Sequence, residues 1–234
     1  MKKAYFSSLK ATFVWVMSAL SLLMVLASCS KDVEVQPIEV GEIHLKYVNA
    51  NAGSKGQDFY AGDTRLGATT VVYGQASDYF TTTSANTIFL FKEGGTSTVT
   101  APLQGSIPIN SYYTFFYAKN LTNQNVAGAL EDDLTSPAAG KAKVRFFHLN
   151  SYMAATVPLK VTVKGTTVVK DNLVFGEVTE YLQVDPGAKF SVTSTGITTP
   201  LSIDDANLIA GKVYTIWLGG TSSSILDSHV ILTN

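Results

Sequence analysis

The chain has 234 residues, with 17 Lys and Arg against 18 Asp and Glu. That balance excludes the clustered basic face that nucleic-acid binding requires, and a single cysteine excludes an internal disulfide framework and a thiolate metal site. The many Thr, Ser, Val, Gly and aromatic residues point to β-sandwiches or barrels rather than helical folds.

The chain opens with a basic stretch, Lys2, Lys3 and Lys10, followed by an uncharged apolar run from Ala11 to Leu26 and two small residues ahead of Cys29. This order predicts a secretory signal over residues 1–28. The run falls short of the roughly 20 apolar residues that a spanning helix needs. Leu26-Ala27-Ser28-Cys29 resembles the bacterial lipobox. The resemblance implies cleavage before Cys29, a diacylglycerol on its sulfur, an acyl chain on its new amino group, and an anchor in outer-membrane lipid. One acyl chain of myristoyl size holds a protein only marginally, at roughly 0.8 kcal/mol per CH₂, so two or three hold it durably. Ser30-Lys31-Asp32-Val33-Glu34 resembles the lysine-then-acid signals that send lipoproteins of the Bacteroidetes to the cell surface, with one acid after the lysine rather than a run. Surface and periplasmic placements both stay open. Residues 29–39, with Pro37, read as a lipidated tether. Loss of the signal removes three lysines and no acid, leaving a mildly acidic chain with a net charge of −4.

From Val40 onward the sequence predicts strands. In the first half these are Val40–Val48, Gln57–Ala61, Thr69–Tyr73, Thr87–Phe91 and the aromatic Tyr112–Ala118. Thr87–Phe91 is a continuous apolar run and reads as a strand buried on both faces. Glu131 to Gly140, with Pro137, has no apolar periodicity. The second half supplies Val144–Leu149, Leu159–Lys164, Val178–Val184, Lys189–Thr193, Val213–Leu218 and Ile225–Leu232. Asp185-Pro186-Gly187 is a turn signal, since proline presets φ and glycine accepts a positive one. The resulting organisation is a β-sandwich over 40–134, a linker at 135–140 and a second β-sandwich over 141–234.

The halves correspond block by block. Lys46-Tyr47-Val48 matches Arg145-Phe146-Phe147; the nine residues from Val72 to Phe80 match those from Val174 to Leu182; Tyr113-Thr114-Phe115-Phe116 matches Tyr214-Thr215-Ile216-Trp217. This is a tandem duplication. The second half resembles the bacterial cell-surface family known as domain of unknown function 4397. Arg145 and His148 fit its Arg-x-x-His strand. Phe175, Gly176, Thr179 and Tyr181 fit its Phe-Gly-x-x-(Ser/Thr)-x-Tyr block. Pro186-Gly187 and Gly211-Lys212-Val213-Tyr214-Thr215 fit its turn and a later strand. Lys160-Val161-Thr162 departs from the family's Asp-x-Tyr, which the first half keeps at Asp58-Phe59-Tyr60 while holding Asn49 where the histidine would be. The resemblance covers most of 141–220 and, more thinly, 43–119. It implies an all-β protein of two tandem immunoglobulin-like or transthyretin-like sandwiches, and it implies no activity.

Candidate chemistry is sparse. His44, His148 and His229 form no metal-ligand spacing and have no Gly-x-Ser-x-Gly elbow beside them, so they read as structural. Asp132-Asp133 and Asp204-Asp205 are pairs of acids without the loop pattern of a calcium site. Asp78 and Glu180 share parity with apolar neighbours at matching places in the two repeats. They read as structural acids, through a bulge or by accepting backbone N–H groups. Tyr112, Tyr113, Phe115, Tyr117 and Trp217 are candidates for a ligand platform or for the contact between the domains. The expected protein is a non-enzymatic lipoprotein of the outer membrane, without cofactor, whose partner is an envelope protein or a glycan. A glycan-binding accessory protein of polysaccharide uptake and a fimbria-like assembly subunit are the alternatives.

Overall fold

The computed structural model describes residues 39–164 and 167–234. The signal, Cys29 and most of the tether lie outside the described residues. Val40 to Asn234 form one compact unit. Among the described residues no helix is long and apolar enough to cross a membrane.

Among the described residues sixteen strands build four sheets of four. In the first repeat they are β1 (Glu42–Asn49), β2 (Gln57–Ala61), β3 (Thr64–Val71), β4 (Phe80–Thr83), β5 (Ile88–Glu93), β6 (Val99–Gln104), β7 (Tyr112–Lys119) and β8 (Asn125–Glu131). The second repeat has β9 (Ala142–His148), β10 (Leu159–Val163), β11 (Val168–Leu173), β12 (Leu182–Val184), β13 (Phe190–Thr193), β14 (Leu201–Ile203), β15 (Val213–Ser222) and β16 (Ile225–Leu232). The first repeat has strand orders 4-1-7-8 and 3-2-5-6; the second has 12-9-15-16 and 11-10-13-14, the same topology strand for strand. In each, the first and seventh strands pair in parallel while all other pairs are antiparallel. This is the two-sheet sandwich architecture that the family resemblance implies, with eight strands per repeat among the described residues.

Alternation along each strand sorts the cores. Ile43, Leu45 and Tyr47 of β1 join Phe59, Phe89, Phe91, Phe115 and Tyr117 in the first core. Ala142, Val144 and Phe146 of β9 join Val161, Phe190, Ile216 and Leu218 in the second. The expectation that Thr87–Phe91 is buried on both faces is corrected. Phe89 and Phe91 point inward, but Ile88 is exposed and Leu90 half-buried, because the outer face of its sheet meets solvent. The strands buried on both faces are instead β1, β7, β9 and β15.

The Gly of the repeated block has a backbone reason. Gly74 and Gly176 both take positive φ, 85° and 79°. There they turn the chain so that their N–H groups bond the carbonyls of Asn49 and His148, at 2.9 and 2.8 Å.

Candidate functional site

The second face of β1, β7, β9 and β15 builds a third apolar cluster that draws on both repeats. Val48, Ala50, Phe116 and Ala118 come from the first, Phe147, Leu149, Trp217 and Ile231 from the second. Phe116 meets Phe147 edge-on with ring centroids 5.1 Å apart. At one side, Trp217 stacks on His229 at 4.0 Å, Tyr73 stands edge-on to both, and the Tyr73 hydroxyl donates to Asp227 at 2.8 Å. Gly74 and Gly219 permit this approach, since a Cβ at either would lie within 3 Å of His229 or of Tyr73 and Trp217.

Polar contacts around this layer repeat with approximate two-fold symmetry. Lys46 of β1 donates to the Leu232 carbonyl at the end of β16, 2.5 Å away, and Arg145 of β9 donates to the Glu131 carbonyl at the end of β8, 2.7 Å away. Each cation covers a tyrosine ring of its own repeat: Lys46 lies 4.4 Å from the Tyr79 centroid and Arg145 4.7 Å from that of Tyr181. The symmetry breaks at Asp132, whose counterpart is Thr233. The fully buried Asp132 carboxylate accepts from Arg145 at 2.5 Å, Tyr79 at 2.5 Å and Thr114 at 2.6 Å. Burial pushes this carboxyl up from the usual range, while Arg145, Thr114 and Tyr79 pull it down. Beside it, hydrogen bonds from Lys143 and Thr135 hold Asp133 down at about 2.

The repeated Tyr/Phe-Gly-x-x-Ser/Thr-x-Tyr block now has a physical meaning. Its Gly makes the turn. Its hydroxyl, on Ser77 or Thr179, accepts the N–H of Tyr47 or Phe146 at 3.0 or 2.9 Å and donates to the carbonyl of the next residue. Its final tyrosine supplies the ring beneath Lys46 or Arg145. The acids between hydroxyl and tyrosine are corrected: Asp78 and Glu180 are exposed. The chain leaves the regular ladder after isolated bridges at Ala76 and Val178, which breaks the alternation and turns both acids outward. The hydroxyls carry the structural role that parity assigned to the carboxylates.

The aromatic candidates separate. Phe115 and Tyr117 lie in the first core, where Phe115 offers no platform while Tyr117 reaches a polar pocket at the end of the sandwich. Trp217 is buried between the repeats. Tyr113 borders the first core, and Tyr112 stacks on His44 at 4.3 Å, half-buried. The aromatic residue of β7 that meets the second repeat is Phe116, beside Ala118. His148 is fully buried, its Nδ1 accepts the Asn150 N–H at 3.2 Å, and burial pushes it down to about 4. Asp204 pairs with Lys164 at 3.0 Å. Among the described residues no group of three His, Cys, Asp or Glu converges on a metal position.

Among the cavities of the described residues, one in each repeat bears on binding. In the second, a groove of about 570 Å³ runs between β12 and β10, floored by Val163, Leu182 and Val184 and edged by Lys141, Lys164 and Lys189. Leu182 stands where the first repeat has the larger Phe80, and Phe146 where it has Tyr47, whose hydroxyl reaches the Thr69 carbonyl. In the first repeat, a polar pocket of about 260 Å³ opens at the end of the sandwich, among Asn51, Gln57, Thr100, Tyr117, Lys119 and Asn125. The repeats differ here position by position: the buried Gln57 and Tyr117 of the first correspond to Leu159 and Leu218 in the core of the second.

Residues 43–157 match the model of a family described as domain of unknown function (DUF4397). Over those residues the chain is similar to the DUF4397 family. The match takes in the whole first repeat and ends after β9 of the second, so it covers in full the half whose motifs fit more thinly. Its Asp-x-Tyr feature has a role here: the DUF4397 segment's Asp58, buried, accepts from Arg65 at 2.7 Å, Thr70 at 2.6 Å and the Gly95 N–H at 3.0 Å, tying β2 to β3 and to the β5–β6 turn. At the departing position Lys160 makes a charge-reversed pair with Asp171 at 2.7 Å. No curated protein matches the sequence. Among solved structures the chain is similar to a family-26 carbohydrate-binding module of Eubacterium rectale Amy13K in complex with maltoheptaose. The identity is 13%, with 82% of this chain and 97% of that one covered, and a TM-score of 0.24. It is also similar to a Bacteroides uniformis protein described under cell adhesion, at 11% identity, 84% and 98% coverage and a TM-score of 0.24.

Proposed function

We infer that this protein is a lipid-anchored, non-enzymatic binding or structural protein of the bacterial envelope. The observation that supports it is the layer between the repeats. It uses aromatic, basic and acidic side chains of both halves (Phe116, Phe147, Trp217, Arg145, Asp132) to join two sandwiches into one compact unit. His148 and His229 are committed to packing, one inside the second sandwich and one against Trp217. A joined pair of sandwiches on a short tether suits a module that presents a surface. The anchor rests on Leu26-Ala27-Ser28-Cys29.

Two experiments test this reading. Cys29→Ala is expected to move the protein from the detergent phase to the aqueous phase in phase partitioning; partitioning like wild type overturns the anchor. The lipid-free unit, residues 40–234, is expected to show saturable, selective binding to envelope material and to leave the bound molecule chemically unchanged. Turnover of that molecule overturns the non-enzymatic role. A glycan as the partner is favoured by one observation, the polar pocket of the first repeat.

A further inference from the structure

The two repeats share a topology strand for strand, so each serves as the other's reference. Where the second repeat closes the end of its sandwich with Leu159 and Leu218, packed with Met153 in its core, the first places Gln57 and Tyr117. The difference is not a surface substitution: Gln57 and Tyr117 are only 1% and 2% exposed. Burying an amide and a phenol where an apolar pair packs as well is costly without partners, and the surroundings have been made polar to match. Thr100 donates to Gln57 Oε1 at 2.5 Å, the Gln57 amide donates to the Lys55 carbonyl at 3.0 Å, and Asn51 donates to Asn125 Oδ1 at 3.0 Å. The Tyr117 hydroxyl sits beside Thr100 and Asn51, and burial raises it, so it stays a protonated donor.

The set is not self-sufficient. Asn51 is 2% exposed and lines the pocket, yet its Oδ1 has no hydrogen-bond partner among the described residues. A buried amide oxygen left unpaired is uncommon, and a ligand hydroxyl is one group that would satisfy it. Lys55, paired with Glu93, and Lys119 stand at the rim. The lining therefore offers amides, hydroxyls, ammonium groups and a carboxylate, donors and acceptors mixed, around 260 Å³. That volume lies just under the range of about 300–1,000 Å³ typical of drug-sized ligands. A lipid tail would leave these groups unpaired, and a bare anion would leave the acceptors unused.

We propose that this pocket binds one sugar residue, either a free monosaccharide or the terminal residue of a glycan. Adjacent ring hydroxyls each donate and accept, which the alternating amides and hydroxyls of the lining match. The proposal rests on the reading of this protein as a binding module and names its ligand class.

The test uses the lipid-free unit, residues 40–234, labelled with ¹⁵N. It is titrated with glucose, galactose, mannose, N-acetylglucosamine and glucuronic acid, and then with oligosaccharides ending in any residue that binds. At least one sugar is expected to shift the side-chain amides of Asn51, Gln57 and Asn125 saturably. A ligand of about a dozen non-hydrogen atoms is expected to bind at about millimolar concentration, with tighter binding by the oligosaccharide if the natural ligand is a glycan end. Gln57→Leu with Tyr117→Leu installs the second repeat's lining, and should weaken binding at least tenfold while circular dichroism stays β-type. Should that variant not fold, the rim variant Lys119→Ala, expected to weaken binding severalfold, replaces it. Saturable shifts elsewhere on the protein, no shift with any sugar, or undiminished binding in the variants overturns the proposal. Selective envelope binding that survives these substitutions would leave the binding-module reading standing while this pocket fails.

Discussion

Asn49 and His148 occupy the same place in the two repeats, beneath the Gly turn, and solve it with different chemistry. Asn49 donates to the Val71 carbonyl at 3.2 Å and accepts the Asn51 N–H at 3.0 Å. His148 accepts the Asn150 N–H in the same way, but its Nε2 has no partner among the described residues. Burial depresses it to about 4 from an ordinary 6.5. A depressed folded pKa means that the unfolded chain binds the proton first. The contribution to stability is complete above pH 6.5 and is lost as pH falls from 6.5 toward 4, on the order of 3 kcal/mol in all. His148→Asn, which copies the first repeat, is expected to remove that part of the pH dependence, and urea midpoints measured between pH 6.5 and 4.5 check it. Thr179 and Glu180 make a second comparison between neighbours. Thr179→Val leaves the Phe146 N–H without its acceptor and should cost about 1–3 kcal/mol. Glu180→Ala removes an exposed carboxylate and should change stability by less than about 0.5 kcal/mol. The reverse order in thermal melts would return the structural role to the acid.

At the scale of strands, legibility follows burial. Gln57–Ala61 and Ile225–Leu232 are strands over the residues that the sequence predicts. The expected strands do not include β4, β6, β8, β11 and β14. β4 reads Phe-Thr-Thr-Thr, β6 contains Pro102, and β11 contains Lys170-Asp171-Asn172. All five but β8 are short or polar, and every one lies at the edge of its sheet. An edge strand is solvated along one side, tolerates proline and charge, and so carries little alternation. The aromatic strand β7 had the opposite difficulty. Apolar side chains on both faces show that both are covered, but not by what. Phe115 and Tyr117 fill the first core while Phe116 fills the layer between repeats. Phe116→Ala is expected to cost about 3–5 kcal/mol, while Ile88→Thr, on an exposed face, should change stability by less than about 0.5 kcal/mol. Chemical denaturation of both variants checks the contrast.

For the whole molecule the question is how far the second repeat is self-sufficient. Its core draws only on its own residues. Expressed alone, residues 141–234 are expected to give a β-type circular dichroism spectrum and to melt cooperatively. The cut removes Asp132, however, which leaves Arg145 buried without its carboxylate, and it uncovers Phe147, Leu149 and Trp217. Breaking a buried ion pair costs about 3–5 kcal/mol, and an uncovered apolar patch promotes association. The fragment should therefore melt well below the full unit and self-associate in analytical ultracentrifugation. A monomer as stable as the full unit would mean that the layer between repeats contributes little. A soluble fragment without a cooperative transition would mean that the second sandwich depends on the first.

The sequence by itself determined the β class, the duplication, the resemblance to a family and the blocks that correspond between repeats. These follow from local alternation and from short spacings, which are properties of neighbours along the chain. Only the tertiary structure decided which face of β7 meets which core, that Asp78 and Glu180 point to solvent, and that Asp132 reaches Arg145 across the repeats. It also decided that Gln57 and Tyr117, apart in sequence by a whole sandwich, share a pocket with an unpaired Asn51 oxygen. Each of these depends on a break in strand register or on a contact between distant segments. Alternation continues through a break on paper but not in the folded chain, and it carries no information about which distant strand covers a face.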